Sequence, residues 1–210
     1  MGAQMVEVTL GHLEASELRQ AASLVGRAFR DNPVTIAANH RGPNSRIRGA
    51  EGTLGIGLGM LEGPQLVARR GSWIVGVCGA APPGTCRLPL SKSVRLIPGA
   101  LAGGPGTVVR TARFLNQSEK HDPAEPHWHL GPVAVEPALQ GMSVGSRLLQ
   151  RFCEGMDEMG DLAYLDTDKP ENVRFYERFG FVVVEQDRII GIPYWFMRRE
   201  PREKSSSGNS

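Results

Sequence analysis

The sequence predicts an α/β fold, of the α+β type, in which helices flank a mixed β-sheet. Three patterns lead to this expectation. A short turn separates two apolar strands near the middle of the chain, a strand passes through a glycine-bearing turn into an amphipathic helix after residue 130, and two further strands close the chain. With 210 residues, 40% of them hydrophobic and 22% charged, the chain has the size and composition of one globular domain.

The first third of the chain predicts a strand, two helices and a hairpin. VEVTL, residues 6–10, alternates between apolar and polar residues like a strand, and SELRQAASLVGRAF, residues 16–29, carries apolar residues at helical spacing. A second, weaker helix is expected within residues 46–61. QLVAR and WIVGVCGA, separated by residues 70–72, then predict a hairpin of adjacent strands.

Residues 82–126 are predicted to be an irregular insertion, because PPG, PGALAGGPG and DPAEP interrupt any regular pattern. One helix, around residues 107–115, is the exception. Two interpretations stay open: the insertion covers a ligand site, or it is a surface excursion. Residues 1–200 are predicted to form a single domain, and residues 201–210 a disordered tail.

After the insertion the pattern predicts strand, helix, strand, helix and two strands. HWHLGPVAV, residues 127–135, is the first strand, and Gly160 is placed to end the helix that follows. LAYLD is a short strand, Pro170 suits the first turn of the next helix, and Gly180 suits its cap. FVVVE and PYWFMRR predict a terminal antiparallel pair. The apolar face of the longer helix consists of Val144, Leu148, Leu149, Phe152 and Met156.

Charge and cysteine content argue against several classes of protein. A formal net charge of +2 lacks the basic excess of a protein that binds nucleic-acid phosphates. Cys78, Cys86 and Cys153 are too few and too scattered for a disulfide framework or a CxxC zinc site. No segment approaches the length of a membrane span. We therefore expect a cytoplasmic protein that binds neither nucleic acid nor membrane.

The turn between residues 135 and 144 predicts an anion site. Where a strand runs into a helix, unpaired backbone N–H groups and the positive end of the helix dipole meet at one point, which suits phosphate. Gly141 and Gly145 allow the backbone to approach closely, and Ser143 offers a hydroxyl group. The same glycines are also explained by packing alone. Neither GxxxxGK[ST] nor a GxGxxG near the N-terminus is present.

The segment QGMSVG resembles the Q/R-x-x-G-x-G/A signature with which the GNAT superfamily of N-acetyltransferases grips the pyrophosphate of acyl-CoA. LGPVAVEP is similar to that family's central strand, and PENVRFYERFGF resembles its later N-x-x-x-Y-x-x-x-G-F block. The resemblance implies a GNAT-like acyl-CoA N-acyltransferase fold with acetyl-CoA as co-substrate. It implies that coenzyme is bound by Val133, Ala134, Val135, Gln140, Gly141, Met142, Ser143, Val144, Gly145 and Asn172. Serine at position 143 departs from the family, which usually has glycine there.

The resemblance also implies the catalytic groups. Tyr176 stands where a phenol can donate to the coenzyme sulfur and act as general acid, although a half-buried aromatic is the alternative. Asn172 would bind the pantetheine amide or cap its helix. His129 matches a strand position where some relatives carry a base carboxylate, and an imidazole can accept a proton there. A structural histidine is the alternative, and Glu125 and Glu136 are lesser candidates.

The acceptor is the least determined part of this hypothesis. AFRDNP, EPHW and WFMRREP resemble the puromycin N-acetyltransferase-like branch, which favours a small-molecule amine acetylated by direct attack in a ternary complex. A protein lysine or N-terminal amine, and a catalytically silent acyl-CoA-binding module, stay open, as does a homodimer. His127 and His129 suggest a metal pair, but no third ligand has suitable spacing, so no metal is predicted.

Overall fold

A seven-stranded sheet organises the protein in the computed structural model, which describes residues 7–63, 65–86 and 94–202. The sheet order is β1-β2-β3-β4-β5-β7-β6. Neighbouring strands are antiparallel except for β4 and β5, which are parallel. The strands are β1 Thr9–His12, β2 Leu66–Arg70, β3 Trp73–Ala81, β4 Trp128–Val135, β5 Ala163–Thr167, β6 Val182–Ile189 and β7 Ile192–Arg199.

Helices cover both faces of this sheet. A π-helical turn, Glu51–Gly55, joins α3 to α4. None of the helices in the described residues combines the length and apolar character that a membrane span requires. The α-helices are α1 Leu18–Phe29, α2 Pro33–Ala38, α3 Pro43–Ala50, α4 Ile56–Leu58, α5 Ile97–Leu101, α6 Pro105–Ser118, α7 Val144–Met159 and α8 Pro170–Glu177.

The core follows the amphipathic patterns of α1 and α7. All five residues of the predicted apolar face of α7 are buried, and this helix packs against β2, β3 and β4. Leu148 and Leu149 are fully buried, and burying each side chain stabilises the fold by about 1.5–3 kcal/mol. On the other side, α1 packs against β3 and β4 through Leu24 and Val25. Gly160, at φ 73°, ends α7 as predicted.

Both predicted hairpins are confirmed. β2 and β3 pair antiparallel across a turn at Gly71, whose φ of 61° suits glycine. β6 and β7 pair antiparallel from Val182↔Arg198 to Ile189↔Ile192.

The N-terminal elements differ from the prediction in two places. β1 begins at Thr9, because its register is set by pairing with β2 from Thr9↔Arg69 to His12↔Leu66. Val6, the first residue of the predicted strand, lies outside the described residues. The sequence analysis does not predict α2. Pro33, which follows α1 closely and is typical of a helix end, occupies the first turn of this new helix, where proline loses no hydrogen bond.

The insertion is more regular than its composition predicts. Within residues 94–126 lie α5 and α6, each with a proline in its first turn. Gly104, at φ 93°, separates them, so the proline and glycine clusters mark helix boundaries and not irregular chain. Phe114 of α6 contacts Tyr194 of β7 at 5.9 Å between ring centroids. This segment therefore covers the side of the sheet formed by β5, β6 and β7. Residues 203–210 of the predicted tail lie outside the described residues.

Candidate active site

The centre of the sheet is split between β4 and β5. The two strands pair only at Trp128↔Ala163 and His129↔Tyr164 within the described residues, although β4 continues to Val135 beside β3. The N–H of Glu136 donates to Val75 of β3 at 3.0 Å. Because successive backbone groups alternate in direction, the N–H groups of Val133 and Val135 face the gap. The gap thus presents backbone N–H groups of β4 to which a ligand can bind.

The turn after β4 presents a second set of backbone donors. Gly141 has φ 78° and Ser143 has φ 64° and ψ 3°, so both are left-handed. Ser143 is the N-cap of α7 and makes no side-chain capping bond. The N–H groups of the first helical turn therefore have no intrahelical acceptor. The side chain of Gln140 donates to the carbonyl of Val135 at 3.2 Å and ties this turn to the end of β4.

Ser143→Gly is expected to stabilise the protein. A side chain in the left-handed region costs about 1–2 kcal/mol, and Ser143 is one of two non-glycine residues with positive φ in the described chain. We expect the free energy of unfolding, measured by urea denaturation, to rise by about 1 kcal/mol. Ser143→Ala keeps the strain and serves as the control. Equal stability of the glycine variant and the wild type would contradict this account.

Tyr176 projects from α8 into the core beside this gap. It is 8% exposed and belongs to the same apolar cluster as Leu130 of β4 and Leu165 of β5. Its hydroxyl has no hydrogen-bond partner among the residues that the structure describes. Burial raises the pKa of the phenol, and nearby acidic groups, including Asp166, raise it further. At neutral pH the hydroxyl of Tyr176 is therefore protonated and available to donate a hydrogen bond.

Asn172 lies one turn before Tyr176 on the same helix. Its side-chain amide donates to Thr167 Oγ1 at the end of β5, at 3.1 Å. The N-cap of α8 is Lys169, so Asn172 is not the cap of this helix. The contact fixes the side chain at the end of β5, which leaves its amide oxygen for a ligand.

His129 lies between two carboxylates. Its Nδ1 is 3.4 Å from Asp122 Oδ1 and its Nε2 is 3.3 Å from Asp166 Oδ2. Burial lowers the pKa of the imidazole, but the hydrogen bonds to Asp122 and Asp166 raise it more, so the pKa lies well above its ordinary value. An imidazolium has no lone pair to accept a proton. This arrangement argues against the predicted role of His129 as general base at neutral pH.

The lesser carboxylate candidates are held in ion pairs. Glu136 Oε2 lies 2.7 Å from Arg27 Nη2, and Glu125 is paired with Arg198. Both carboxylates are therefore already engaged by arginine side chains.

Sequence reasoning missed Asp166 and Asp168, which end β5. Asp168 is 6% exposed and accepts the N–H of Val34 at 2.8 Å. Burial raises the pKa of Asp168 above its usual value, while Asp166 keeps a lowered pKa because its hydrogen bond to His129 outweighs burial. Two acids two residues apart at the end of a strand, in LDTD, were the signal that was available.

Comparison with known proteins agrees with this geometry. Residues 88–181 match the family model of the acetyltransferase (GNAT) family. A histone acetyltransferase-related protein of Corynebacterium glutamicum superposes with a TM-score of 0.65 at 18% identity, covering 95% of this chain and 99% of its own. A Drosophila melanogaster polyamine N-acetyltransferase gives 0.63 at 15% identity, with 92% and 100% covered. A Brucella melitensis GNAT acetyltransferase in complex with acetyl-CoA gives 0.52 at 14%, with 97% and 94% covered.

Residues 88–181 are thus similar to the GNAT acetyltransferase family, and the chain shares the fold of solved GNAT acetyltransferases. The predicted fold class is confirmed, and the family match and the acetyl-CoA-bound neighbour agree with the predicted family and co-substrate. The narrower resemblance to the puromycin branch stays a prediction.

Proposed function

We propose that this protein transfers the acetyl group of acetyl-CoA to the amine of a small, positively charged molecule, by direct attack in a ternary complex. One observation carries the proposal. The gap between β4 and β5 has the protonated phenol of Tyr176 beside it and the carboxylates of Asp166 and Asp168 at the end of β5. The binding edge for the acetyl donor, the general acid and the charges that would bind the acceptor therefore lie together around this gap.

The coenzyme would lie along the edge of β4. The backbone N–H groups of residues 141 and 143–145 would hold its pyrophosphate at the start of α7, as helix N-termini hold phosphate elsewhere. The N–H of Met142 donates to the carbonyl of Leu139 at 3.3 Å. The N–H groups of Val133 and Val135 would pair with the pantetheine arm, and the amide of Asn172 would meet it from α8. Coenzyme binding in this proposal thus depends mainly on backbone groups, which tolerate side-chain variation.

Acetyl transfer then requires three steps from groups of this chain. A backbone N–H of β4 polarises the thioester carbonyl, the neutral amine attacks the carbonyl carbon, and the C–S bond breaks. Tyr176 donates its proton to the departing thiolate. Because burial keeps the phenol protonated, the acid is in its active form at neutral pH.

We assign to Asp168 the role of general base, which accepts the proton that the acceptor amine loses. One of its oxygens is held by the N–H of Val34, which fixes the carboxylate without neutralising its charge. Burial raises its pKa, so it accepts a proton more readily than a solvated carboxylate does. His129, charged and held by two acids, has the role of fixing Asp166 in this scheme.

The acceptor side of the sheet favours a cation. Asp122 and Asp166 flank His129, and Glu185 and Asp187 flank His121, whose ring stacks on Phe196 at 4.1 Å between centroids. With Asp168, this side of the sheet carries five acids and two histidines, and an excess of acids attracts ammonium groups.

Relatives of similar fold support the same class of acceptor. The Drosophila melanogaster enzyme acts on polyamines and forms N-acetylagmatine, and an agmatine N-acetyltransferase gives a TM-score of 0.63 at 14% identity. Polyamines and agmatine are small cationic amines. The free cysteines of the described chain support a cytoplasmic location as part of this proposal.

The direct test is calorimetry with acetyl-CoA, followed by thiol release from the same preparation against matched amines. The panel would contain agmatine, a linear polyamine, a neutral amino sugar and a lysine peptide. Acetyl-CoA-dependent release with the cationic small amines is expected. Release with the peptide alone would replace the acceptor class by protein lysine. Binding without release from any amine would favour a silent coenzyme-binding module.

Gly145→Leu is expected to weaken acetyl-CoA binding by roughly tenfold or more, equivalent to about 1.4 kcal/mol. A Cβ at Gly145 meets Val135 Cγ2 at 3.4 Å and Phe175 Cζ at 3.7 Å, which are ordinary contacts. Gly145→Ala therefore fits and is the matched control, whereas leucine would occupy the space over the phosphate turn. Calorimetry measures both variants, and unchanged affinity in Gly145→Leu would place the pyrophosphate elsewhere.

A further inference from the structure

Three metal-ligating side chains converge next to the β4–β5 junction. The ligand atoms of Cys86, His127 and His129 all lie within 4.8 Å of one another. Cys86 follows β3 and the histidines stand at the start of β4, so antiparallel pairing of these strands, including Ala81↔His129, brings them together. Cys86 and His127 are 41 positions apart in the sequence, so the spacing pattern did not reveal the third ligand.

We propose that Cys86, His127 and His129 bind a zinc ion, with Asp122 or water completing four-coordination. One thiolate and two imidazoles are a ligand set that suits zinc and disfavours magnesium or calcium, which take oxygen ligands. The site shares His129 with the scheme above, and zinc would take the place of one proton on its ring. None of the three ligands is assigned to coenzyme binding or acid catalysis, so the proposal does not depend on acetyl transfer.

The distance between sulfur and nitrogen is that of a zinc site. Zinc–sulfur bonds of about 2.3 Å and zinc–nitrogen bonds of about 2.0–2.1 Å in a tetrahedron separate the two ligand atoms by about 3.6 Å. Cys86 Sγ lies 3.6 Å from His127 Nε2. The cysteine and the first histidine are therefore already spaced to hold an ion between them.

Each histidine also has the supporting contact that zinc ligands require. His127 Nδ1 lies 2.9 Å from the carbonyl of Glu125, so Nδ1 carries the proton and Nε2 presents its lone pair to Cys86. His129 has a carboxylate at each ring nitrogen, at 3.4 Å and 3.3 Å. Whichever nitrogen binds the ion, the other keeps a carboxylate partner, Asp122 or Asp166.

A zinc ion here would clamp the chain after β3 to the start of β4. That position lies at the closed end of the split sheet, where His129↔Tyr164 is one of the two β4–β5 pairs. The ion would therefore fix the acceptor side of the gap. Its role would be structural, because Tyr176 and Asp168 are not among its ligands.

The test uses the full chain, purified without a histidine tag. Metal analysis is expected to find about one zinc per chain, and cobalt substitution is expected to give a thiolate-to-cobalt charge-transfer band and tetrahedral visible bands. Cys86→Ser should abolish the charge-transfer band, and His127→Gln should lower zinc content to near zero. Cys153→Ala and the exposed His40→Gln are matched controls that should retain both.

Three results would overturn the proposal. They are the absence of stoichiometric zinc and of a cobalt band in the wild type, equal zinc content in Cys86→Ser and wild type, and alkylation of Cys86 by iodoacetamide at the same rate with and without added zinc. The last result would identify Cys86 as a reactive thiol paired with His127. Circular dichroism of each variant confirms that the fold is retained.

Discussion

Tyr176→Phe is expected to lower kcat by roughly 10²–10⁴-fold, the usual contribution of general acid catalysis, and to leave acetyl-CoA affinity nearly unchanged. The substitution removes only the hydroxyl. Phenylalanine keeps the ring contacts with Phe175 and Phe181, at 5.2 Å and 5.9 Å between centroids. Because the hydroxyl has no hydrogen-bond partner within the described residues, its loss leaves no buried group unpaired.

Steady-state kinetics and calorimetry together measure this effect. A fall in kcat with unchanged dissociation constant for the coenzyme identifies an interaction made in the transition state. Tyr164→Phe is the control, because Tyr164 is also buried but donates its hydroxyl to the carbonyl of His121 at 2.6 Å. We expect kcat of this control to change much less. A decrease of only a few-fold in Tyr176→Phe would assign the proton to another donor or to water.

Asp168→Asn is expected to lower kcat/KM by roughly 10²-fold or more and to change its dependence on pH. In the wild type, kcat/KM should rise with pH as Asp168 loses its proton, over a range above the usual value for aspartate because burial raises this pKa. The variant should lack that rising limb. Asparagine retains an oxygen to accept the N–H of Val34, so the local structure is kept.

Asp168→Asn should also change how the free energy of unfolding depends on pH. In the wild type this free energy should fall with rising pH, whereas kcat/KM should rise. Because the pKa of Asp168 is higher in the folded protein than in the unfolded chain, the folded state binds more protons between the two values. The free energy of unfolding therefore falls as pH rises through this window, and the loss is absent below the unfolded pKa of about 3.9. Asp168→Asn should remove that loss and be at least as stable as the wild type at neutral pH.

Other charges near Asp168 also act on its pKa. Lys169 lowers it and Asp166 raises it, so salt should weaken part of the shift. Glu158→Gln, at an exposed position on α7, is the control for a general change in charge. If the rising limb persists in Asp168→Asn and disappears in His129→Gln, the base is His129 as the sequence predicted.

The sequence predicted the elements whose pattern is local. The apolar spacing in α7 and the alternating strands of both hairpins were sufficient, because each depends on residues within one or two elements. The insertion was misjudged because proline and glycine can either interrupt a helix or begin and end one, and only packing, such as Phe114 against Tyr194, distinguishes the two.

The same distinction between local and long-range information applies to the candidate site. Positions that a motif fixes, such as Gly141, Ser143 and Tyr176, could be selected as candidates from the sequence. The left-handed φ of Ser143 shows that serine occupies a backbone conformation that favours glycine. The environment of His129 was not predictable, because Asp122 and Asp166 come from different segments. A histidine's protonation state depends on neighbours brought together by the fold, which a one-dimensional pattern does not contain.

The two-residue junction between β4 and β5 has a consequence for how the protein holds together. Strands β1–β4 and strands β5–β7 form two panels joined at the sheet by Trp128↔Ala163 and His129↔Tyr164. A bound coenzyme would pair with the free edge of β4 and contact α8 beside β5. It would therefore link the two parts of the sheet as an added strand would. Hydrogen exchange of the backbone amides of β4 and β5 beside the junction should then slow markedly on coenzyme binding. The ligand would therefore stabilise the contact between the two parts of the sheet as well as react.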